Sequence, residues 1–168
     1  ALKLLNIGKG DVVICQSLSF AASVNPVLYE GATPVFVDSE KETYNLSPVY
    51  LEEAITSQMK KGKKPKAIIA VHIYGMPYKV DEIHRISAKY EIPIIEDAAE
   101  AMGSRYSNRA CGSFGDLALF SFNGNKIITT SAGGALVCQD DIQKNKAIFW
   151  ATQSKDCLLY TSPSPRDS

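Results

Sequence analysis

Residues 66–97 read KAIIAVHIYGMPYKVDEIHRISAKYEIPIIED and determine the expected fold. Two short apolar runs, AIIAV and IPII, flank a segment whose apolar residues Val80, Ile83 and Ile86 recur at helical spacing. Continuous apolar runs without strict alternation are typical of strands that are buried on both faces of a parallel sheet. The order strand, helix, strand therefore predicts an α/β fold in which helices cover a mostly parallel sheet.

The chain on either side of this unit has the same organisation. Apolar runs bounded by turn residues predict four further strands, at residues 12–15, 34–38, 117–122 and 134–138. Strands and helices alternate along most of the chain, so we expect a three-layer α/β/α architecture.

Helix signals lie between these strands. Ser47 before a proline and Asp140 before a second acid are typical helix starts. Another helix is expected to end at Gly31, with an irregularity at Pro26. Residues 2–7 resemble the last turns of a helix that a glycine stop closes.

The composition is that of a globular protein and excludes several classes of partner. The chain has 168 residues, 45% hydrophobic, with 18 basic and 18 acidic side chains. A balanced charge argues against nucleic acid or an anionic membrane as partner, and we interpret the basic run at residues 60–65 as a solvated turn. No apolar run reaches the roughly 18 residues that cross a bilayer. The four cysteines lack zinc-site spacing, which favours a reducing, cytoplasmic setting.

The two ends of the chain differ from the rest. Residues 157–168 contain two prolines and no amphipathic period, so we expect a non-native or disordered tail there. The first residue is alanine, and no signal-peptide layout follows it, so a processed or partial chain is expected.

Two charged residues stand out at expected strand ends, where open α/β sheets bind their ligands. Asp97 follows an apolar run and should need a cationic partner, with a helix cap as the alternative. Lys126 is followed by apolar residues, a setting suited to Schiff-base formation, with a surface lysine as the alternative. A lysine for the aldehyde and a carboxylate for the ring nitrogen are what pyridoxal phosphate requires.

Motifs of other function classes are missing. The loop after the first strand lacks Gly-x-Gly-x-x-Gly, and the chain has no phosphate-binding P-loop and no Gly-x-Ser-x-Gly elbow. A nucleotide-binding module that does not use pyridoxal phosphate remains an alternative. His84, beside the apolar helix face, is expected to be a solvated residue.

Six further sequence motifs, taken together, resemble one family. They are GATPVFVD at 31–38, VHIYG at 71–75, EDAAE at 96–100, GSFGD at 112–116, SFNGNK at 121–126 and TTSAGG at 129–134. In this register the chain resembles the DegT/DnrJ/StrS sugar aminotransferases, which are fold-type I pyridoxal-phosphate enzymes.

The resemblance implies a role for each of five residues. Lys126 would form the Schiff base, and Asp97 would hold the proton on the pyridine nitrogen. Phe20 would stack on the cofactor ring, and Ser121 would bind its phosphate. Glu100 stands where the family usually has a glutamine that contacts the side of the ring.

The resemblance also implies a reaction. We expect transfer of an amino group from glutamate to the C4 ketone of a nucleotide-linked 4-keto-6-deoxy sugar, in a homodimer. A UDP-linked sugar is the first choice because of Glu100 and residues 123–126, with GDP- and dTDP-sugars left open. A cofactor-binding regulator without turnover is the alternative, whereas the dehydratase branch has histidine in place of Lys126.

The same resemblance gives a domain assignment. Residues 1–156 would be part of the cofactor-binding large domain. A phosphate-binding loop upstream and a small C-terminal domain would lie outside the chain, so this segment alone is expected to be inactive.

Overall fold

The computed structural model of the chain describes residues 1–152, which fall into two compact units divided after Val137. A six-stranded sheet has the order β2-β1-β3-β4-β7-β8, and a separate two-stranded sheet pairs β5 with β6. The strands are β1 Val12–Gln16, β2 Thr33–Val37, β3 Ala67–Val71, β4 Ile94–Asp97, β5 Arg105–Tyr106, β6 Arg109–Ala110, β7 Leu117–Ser121 and β8 Gly134–Cys138.

The pairings from β2 through β7 in the large sheet are parallel, as the sequence predicts. Their carboxyl ends therefore meet at one edge of the sheet. The register aligns Val71 of β3 with Asp97 of β4, and Asp97 with Leu119 of β7.

Three α-helices belong to the first unit: α1 Asn25–Tyr29, α2 Pro48–Lys60 and α3 Val80–Tyr90. Ser47 caps α2 as predicted, since its hydroxyl accepts a hydrogen bond from the Tyr50 N–H at 3.4 Å. The second unit contains α4, Asp141–Ala151, whose N-cap Asp140 accepts from the Gln143 N–H at 2.7 Å. None of the helices within residues 1–152 has the length and apolarity that a membrane span needs.

Two apolar clusters explain why the central strands lack a polar alternation. Successive side chains of a strand point to opposite faces, so a continuous apolar run supplies both clusters. One cluster joins strand residues to α2 and α3 and includes Ile14, Ile68, Ile94, Leu51, Ile55, Ile83 and Ile86. The other includes Val13, Cys15, Ile69, Ile95, Leu2, Ile7 and Val27. Burial raises the pKa of the Cys15 thiol to about 12, which fits a core residue.

The helical turns at the start of the chain end at a different residue from the glycine that the sequence predicted. Residues 2–6 form hydrogen-bonded turns, and they end at Asn6, which has a φ of 52°, rather than at a glycine. Ile7 N–H donates to Leu2 O at 3.1 Å, and Asn6 N–H donates to Lys3 O at 3.0 Å. This pattern is that of a Schellman motif, in which asparagine tolerates the left-handed conformation.

Two further boundaries also differ. The helix expected to end at Gly31 is divided into a 3-10 turn, Ala21–Ser23, and α1, which places Pro26 in the first turn of α1. The strand expected at residues 92–95 is shifted to Ile94–Asp97, because parallel pairing with β3 continues through the two acids. The tail expected at residues 157–168 lies outside the described residues.

Candidate active site

A cavity of about 230 Å³ lies at the carboxyl edge of the parallel sheet. Its walls come from the residues that end or follow four strands: Leu18, Ser19, Phe20 and Ser23 after β1, Val71, Ile73 and Tyr74 at β3, Asp97, Ala99 and Glu100 at β4, and Lys126 after β7. Four of the five predicted site residues, Phe20, Asp97, Glu100 and Lys126, thus line one cavity.

Lys126 points into the protein rather than into solvent. A turn after β7 sets its backbone, with its N–H donating to Asn123 O at 3.0 Å. Its side chain is 11% exposed, and its Nζ lies 3.2 Å from Glu100 Oε1 and 5.9 Å from the centroid of the Phe20 ring. The alternative of a solvated surface lysine is therefore wrong for this structure.

Glu100 has two partners, one for each carboxylate oxygen. Oε1 pairs with Lys126, and Oε2 accepts from the Tyr74 N–H at 3.0 Å. Tyr74 is left-handed, with φ 51°, and Gly75 follows with φ 79°. A Cβ on Gly75 would lie 2.9 Å from Glu100 O, so the glycine of VHIYG allows this close approach. Glu100 and the loop after β3 are thereby held together beside the lysine.

Asp97 is buried, with 5% of its surface exposed, and its partners are neutral. Ser23 Oγ donates to Oδ2 at 2.6 Å, and the Ala99 N–H donates to Oδ1 at 3.0 Å. The cationic partner that the sequence suggested is not among residues 1–152. The helix-cap alternative is wrong as well, because β4 is followed by a turn and then β5, so the Ala99 amide contact closes a turn. A carboxylate with neutral donors on a cavity wall can accept a cationic ligand.

Ser121 and Phe20 occupy more open positions. Ser121 ends β7 and does not line the cavity, and its hydroxyl accepts from the Asn123 N–H at 3.3 Å. Its assignment to a phosphate stays a prediction. Phe20 is 72% exposed, so a broad aromatic surface is available at the cavity wall.

Glu96, which the sequence reading left without a role, is the centre of a fully buried cluster. Its carboxylate lies 2.7 Å from His72 Nε2 and accepts from the backbone N–H groups of Gly112, Phe114 and Gly115. Burial alone would raise the pKa of Glu96, but the hydrogen bonds from His72 and the three amides outweigh burial and lower it.

The tautomer of His72 follows from its second contact. Its Nδ1 accepts from the Tyr78 N–H at 3.3 Å, so Nε2 carries the proton that is donated to Glu96. His72 is fully buried and stacks on Tyr78, and it is therefore a structural residue in this fold.

The GSFGD motif at residues 112–116 surrounds the Glu96 carboxylate. Gly112 has a φ of 90°, and a Cβ there would lie 2.2 Å from the Phe120 ring. At Gly115 a Cβ would lie 2.8 Å from Leu117 O. Asp116 closes the motif by accepting from the Ile94 N–H at 2.8 Å. The motif is thus a loop that brings three amides onto one buried acid.

Gln16 and Asn45 are two further buried polar residues that the sequence reading missed. Asn45 Oδ1 accepts from the Ile73 N–H at 2.9 Å, and its Nδ2 donates to Met76 O at 2.8 Å. Gln16 Nε2 donates to Leu18 O at 2.8 Å and Gln16 Oε1 accepts from the Leu46 N–H. These bonds fix the loops that carry the cavity walls after β1 and β3.

His84 is not the solvated residue that was expected. It is half-buried on α3, with Nε2 3.0 Å from the Tyr78 hydroxyl oxygen. Burial lowers the pKa of its imidazole.

The parallel sheet covered by helices is an α/β fold, and a lysine and a carboxylate lie on the wall of a cavity at its carboxyl edge. A solved DegT/DnrJ/EryC1/StrS aminotransferase from Brucella abortus superposes with a TM-score of 0.85 at 35% identity, covering 88% of this chain and 40% of that chain. Residues 1–157 match the sequence model of the DegT/DnrJ/EryC1/StrS aminotransferase family, and the chain belongs to that family.

Three curated relatives have informative names. A protein of Bacillus subtilis (strain 168) named "Putative pyridoxal phosphate-dependent aminotransferase EpsN" is 51% identical, over 95% of this chain and 41% of its own length. GDP-perosamine synthase of Escherichia coli O157:H7 is 42% identical, over 91% and 40%. The UDP-N-acetyl-3-dehydro-alpha-D-glucosamine 3-aminotransferase of Acidithiobacillus ferrooxidans is 37% identical, over 96% and 44%. The chain thus spans about two fifths of the length of these relatives.

Proposed function

We propose that a protein containing this chain is a pyridoxal-phosphate-dependent aminotransferase that moves an amino group from glutamate to the C4 ketone of a nucleotide-linked 4-keto-6-deoxy sugar. The observation that carries the proposal is the placement of Lys126 and Asp97 on the wall of one cavity. Membership of the aminotransferase family supports it.

The side chains of the cavity fit pyridoxal phosphate. Lys126 offers a largely buried primary amine, and Asp97 offers a carboxylate whose partners are neutral and which suits a protonated ring nitrogen. Phe20 offers an aromatic surface to a planar ring. When bound, this cofactor supplies an electron sink for the charge that develops on the amino-acid Cα.

Lys126 has two tasks in the proposed reaction. Its Nζ would hold the cofactor covalently through the aldehyde carbon, with the aldehyde oxygen lost as water. As a free amine beside the cavity, the same Nζ would take the proton from the Cα of the amino donor, hold it as an ammonium group and return it, acting as general base and then as general acid. Glu100, 3.2 Å away, orients the amine toward the cavity.

The other proposed residues hold the ring in place. Asp97 would keep the proton on the ring nitrogen, Phe20 would cover one ring face, and Glu100 would contact the side of the ring. Ser121 would bind the phosphate from the end of β7.

The identity of the sugar acceptor is the most specific part of the proposal. A UDP-linked 4-keto-6-deoxy-N-acetylhexosamine is the first choice, in keeping with Glu100 and residues 123–126. The name GDP-perosamine synthase supports testing a GDP-linked sugar beside it. The 3-aminotransferase name supports a C3 ketone as the second candidate.

Two experiments test the proposal on a protein that carries this chain at the length of its relatives. Borohydride reduction with pyridoxal phosphate should attach the cofactor to the Lys126 peptide, and a label elsewhere would refute the assignment. Incubation with glutamate and UDP-, GDP- or dTDP-linked 4-keto sugars, or with a 3-keto sugar, should release oxoglutarate and give an amino sugar detectable by mass.

The outcomes separate the alternatives. Oxoglutarate release without any accepted sugar would indicate another acceptor class. A Lys126 adduct with no oxoglutarate release would favour the regulator without turnover. The homodimer, the cytoplasmic setting and the assignment of residues 1–156 to a cofactor-binding large domain remain predictions.

A further inference from the structure

Two serine hydroxyls are linked by hydrogen bonds to the carboxylate of Asp97. Ser23 Oγ is 2.6 Å from Asp97 Oδ2, and Ser19 Oγ is 2.7 Å from Ser23 Oγ. Both serines line the cavity that Lys126 lines. Neither is among the residues to which the proposed reaction assigns a role.

The hydrogen atoms in this row of hydrogen bonds can be placed by counting donors. A carboxylate only accepts, and a hydroxyl has a single hydrogen to donate. Ser23 therefore donates its hydrogen to Asp97. Ser19 donates in the 2.7 Å contact between the two serines, in preference to its longer contact with Phe20 O at 3.4 Å. The hydrogen bonds therefore all point in one direction, from Ser19 through Ser23 to Asp97. In such a series each hydrogen bond polarises and strengthens the next.

Ser23 provides the one side-chain hydrogen bond that the structure, over residues 1–152, gives to Asp97. The remaining oxygen, Oδ1, accepts from the Ala99 N–H at 3.0 Å. Together the two donors hold the carboxylate in one orientation on the wall. Hydrogen bonds to a charged acceptor are stronger than neutral ones, so removal of the Ser23 hydroxyl should change both the orientation and the solvation of Asp97.

Ser23 also connects Asp97 to the aromatic residue of the cavity wall. The 3-10 turn Ala21–Ser23 closes on Phe20, with the Ser23 N–H donating to Phe20 O at 3.0 Å. The distance between the aromatic surface and the carboxylate is thus set through one residue.

We propose that Ser23 is a positioning residue, which orients Asp97 toward the ring nitrogen of pyridoxal phosphate and is itself supported by Ser19. The inference rests on the proposed function, because it assumes that Asp97 faces that nitrogen. Ser23 acts through Asp97 and takes no part in the chemistry at Lys126.

The test compares two ligands on a protein that carries this chain at the length of its relatives. One is pyridoxal phosphate, and the other is its 1-deaza analogue, whose ring has carbon in place of nitrogen while the aldehyde and phosphate are kept. Equilibrium binding is measured for the wild type, Ser23→Ala, Ser23→Thr and Ser19→Ala. The exposed Ser17, which contacts Asp38, provides the control Ser17→Ala.

Ser23→Ala should weaken binding of pyridoxal phosphate about tenfold, as expected for loss of a hydrogen bond to a charged group. Its effect on the deaza analogue should be less than about twofold, because the analogue has no nitrogen for Asp97 to hold. Ser23→Thr keeps the hydroxyl and should bind pyridoxal phosphate within about twofold of the wild type, and Ser19→Ala should lie between the two Ser23 variants.

Three results would overturn the proposal. If Ser23→Ala weakens both ligands equally, its role is structural, and if it weakens neither, it has no role at the site. In both cases a borohydride-stable adduct on Lys126 leaves the proposed function intact. No Lys126 adduct in the wild type would refute the proposed function, and the role of Ser23 with it.

Discussion

Glu96 and Asp97 are consecutive acids at the end of one buried strand, yet their surroundings differ in every respect that decides chemistry. Glu96 is surrounded by four donors, His72 and three backbone amides, and has no exposed surface. Asp97, on the opposite face of β4, has two neutral donors and borders the cavity. A buried carboxylate that accepts four hydrogen bonds stabilises the fold. A carboxylate on a cavity wall that accepts only two can still accept a further hydrogen bond from a ligand.

The largest effect is expected from removing Glu96, the acid whose carboxylate accepts four hydrogen bonds. Glu96→Ala leaves three buried amides and the His72 N–H without an acceptor, so we expect a loss of about 3–5 kcal/mol in the free energy of unfolding. Glu96→Gln keeps one acceptor oxygen and should lose less. Denaturant titration measures both, and an unchanged midpoint in Glu96→Ala would refute the structural role.

The second change removes the charge of the other acid. Asp97→Asn keeps the shape and an acceptor for Ser23 or Ala99, so the unfolding free energy should change little. Turnover of the loaded enzyme should fall about 10²–10³-fold, as when one preorganised electrostatic group is lost. Steady-state kinetics and thermal unfolding are measured on the same preparation. Unchanged turnover would reduce Asp97 to a turn cap.

The third change alters the loop at residues 112–116, whose backbone amides donate to Glu96. Gly112→Ala introduces both left-handed strain and a contact with the Phe120 ring, and should destabilise the fold by about 2–4 kcal/mol. Gly103 has nearly the same φ, 89°, with nothing within 4 Å of a Cβ, so Gly103→Ala carries the strain alone, about 1 kcal/mol. Equal losses in the two variants would show that the Phe120 contact is unimportant.

The smallest expected effect is on the unfolding free energy at acidic pH. The pKa of Glu96 is lowered from its ordinary value of 4.5 in the folded protein. Because the folded state holds this proton less tightly than the unfolded chain, Glu96 contributes stability above about pH 4.5 and loses it as the pH falls through the lower folded value. Unfolding free energies measured between about pH 3 and pH 7 should decline less steeply for Glu96→Gln than for the wild type. Parallel curves would contradict this assignment.

The sheet could be predicted because its central strands are continuous apolar runs that need cover on both faces. The positions of Asp97 and Lys126 could be predicted as well, since parallel strands bring their carboxyl ends together, whereas Phe20 and Glu100 were expected only from the family resemblance. Local signals also gave the Ser47 cap of α2.

The roles of Glu96 and Asp97 could not be distinguished from the sequence. Both follow the same apolar run. The three amide donors of Glu96 lie 16 to 19 residues further along the sequence, and His72 lies 24 residues before it. The β5–β6 hairpin was missed because its turn uses Ser107 and Asn108, both at positive φ, where glycine would have been the recognisable signal. The stop at Asn6 was missed for the same reason.

The cavity draws its walls from residues that follow β1, β3, β4 and β7, which are distant in sequence and adjacent only after the sheet has paired. A ligand that touches all four segments binds the native state and not the unfolded chain. By thermodynamic linkage, its binding free energy is added to the stability of the sheet, about 2.7 kcal/mol at a hundred times its Kd. Ligand supply would therefore regulate how long such a protein survives in the folded state, as well as whether it is active.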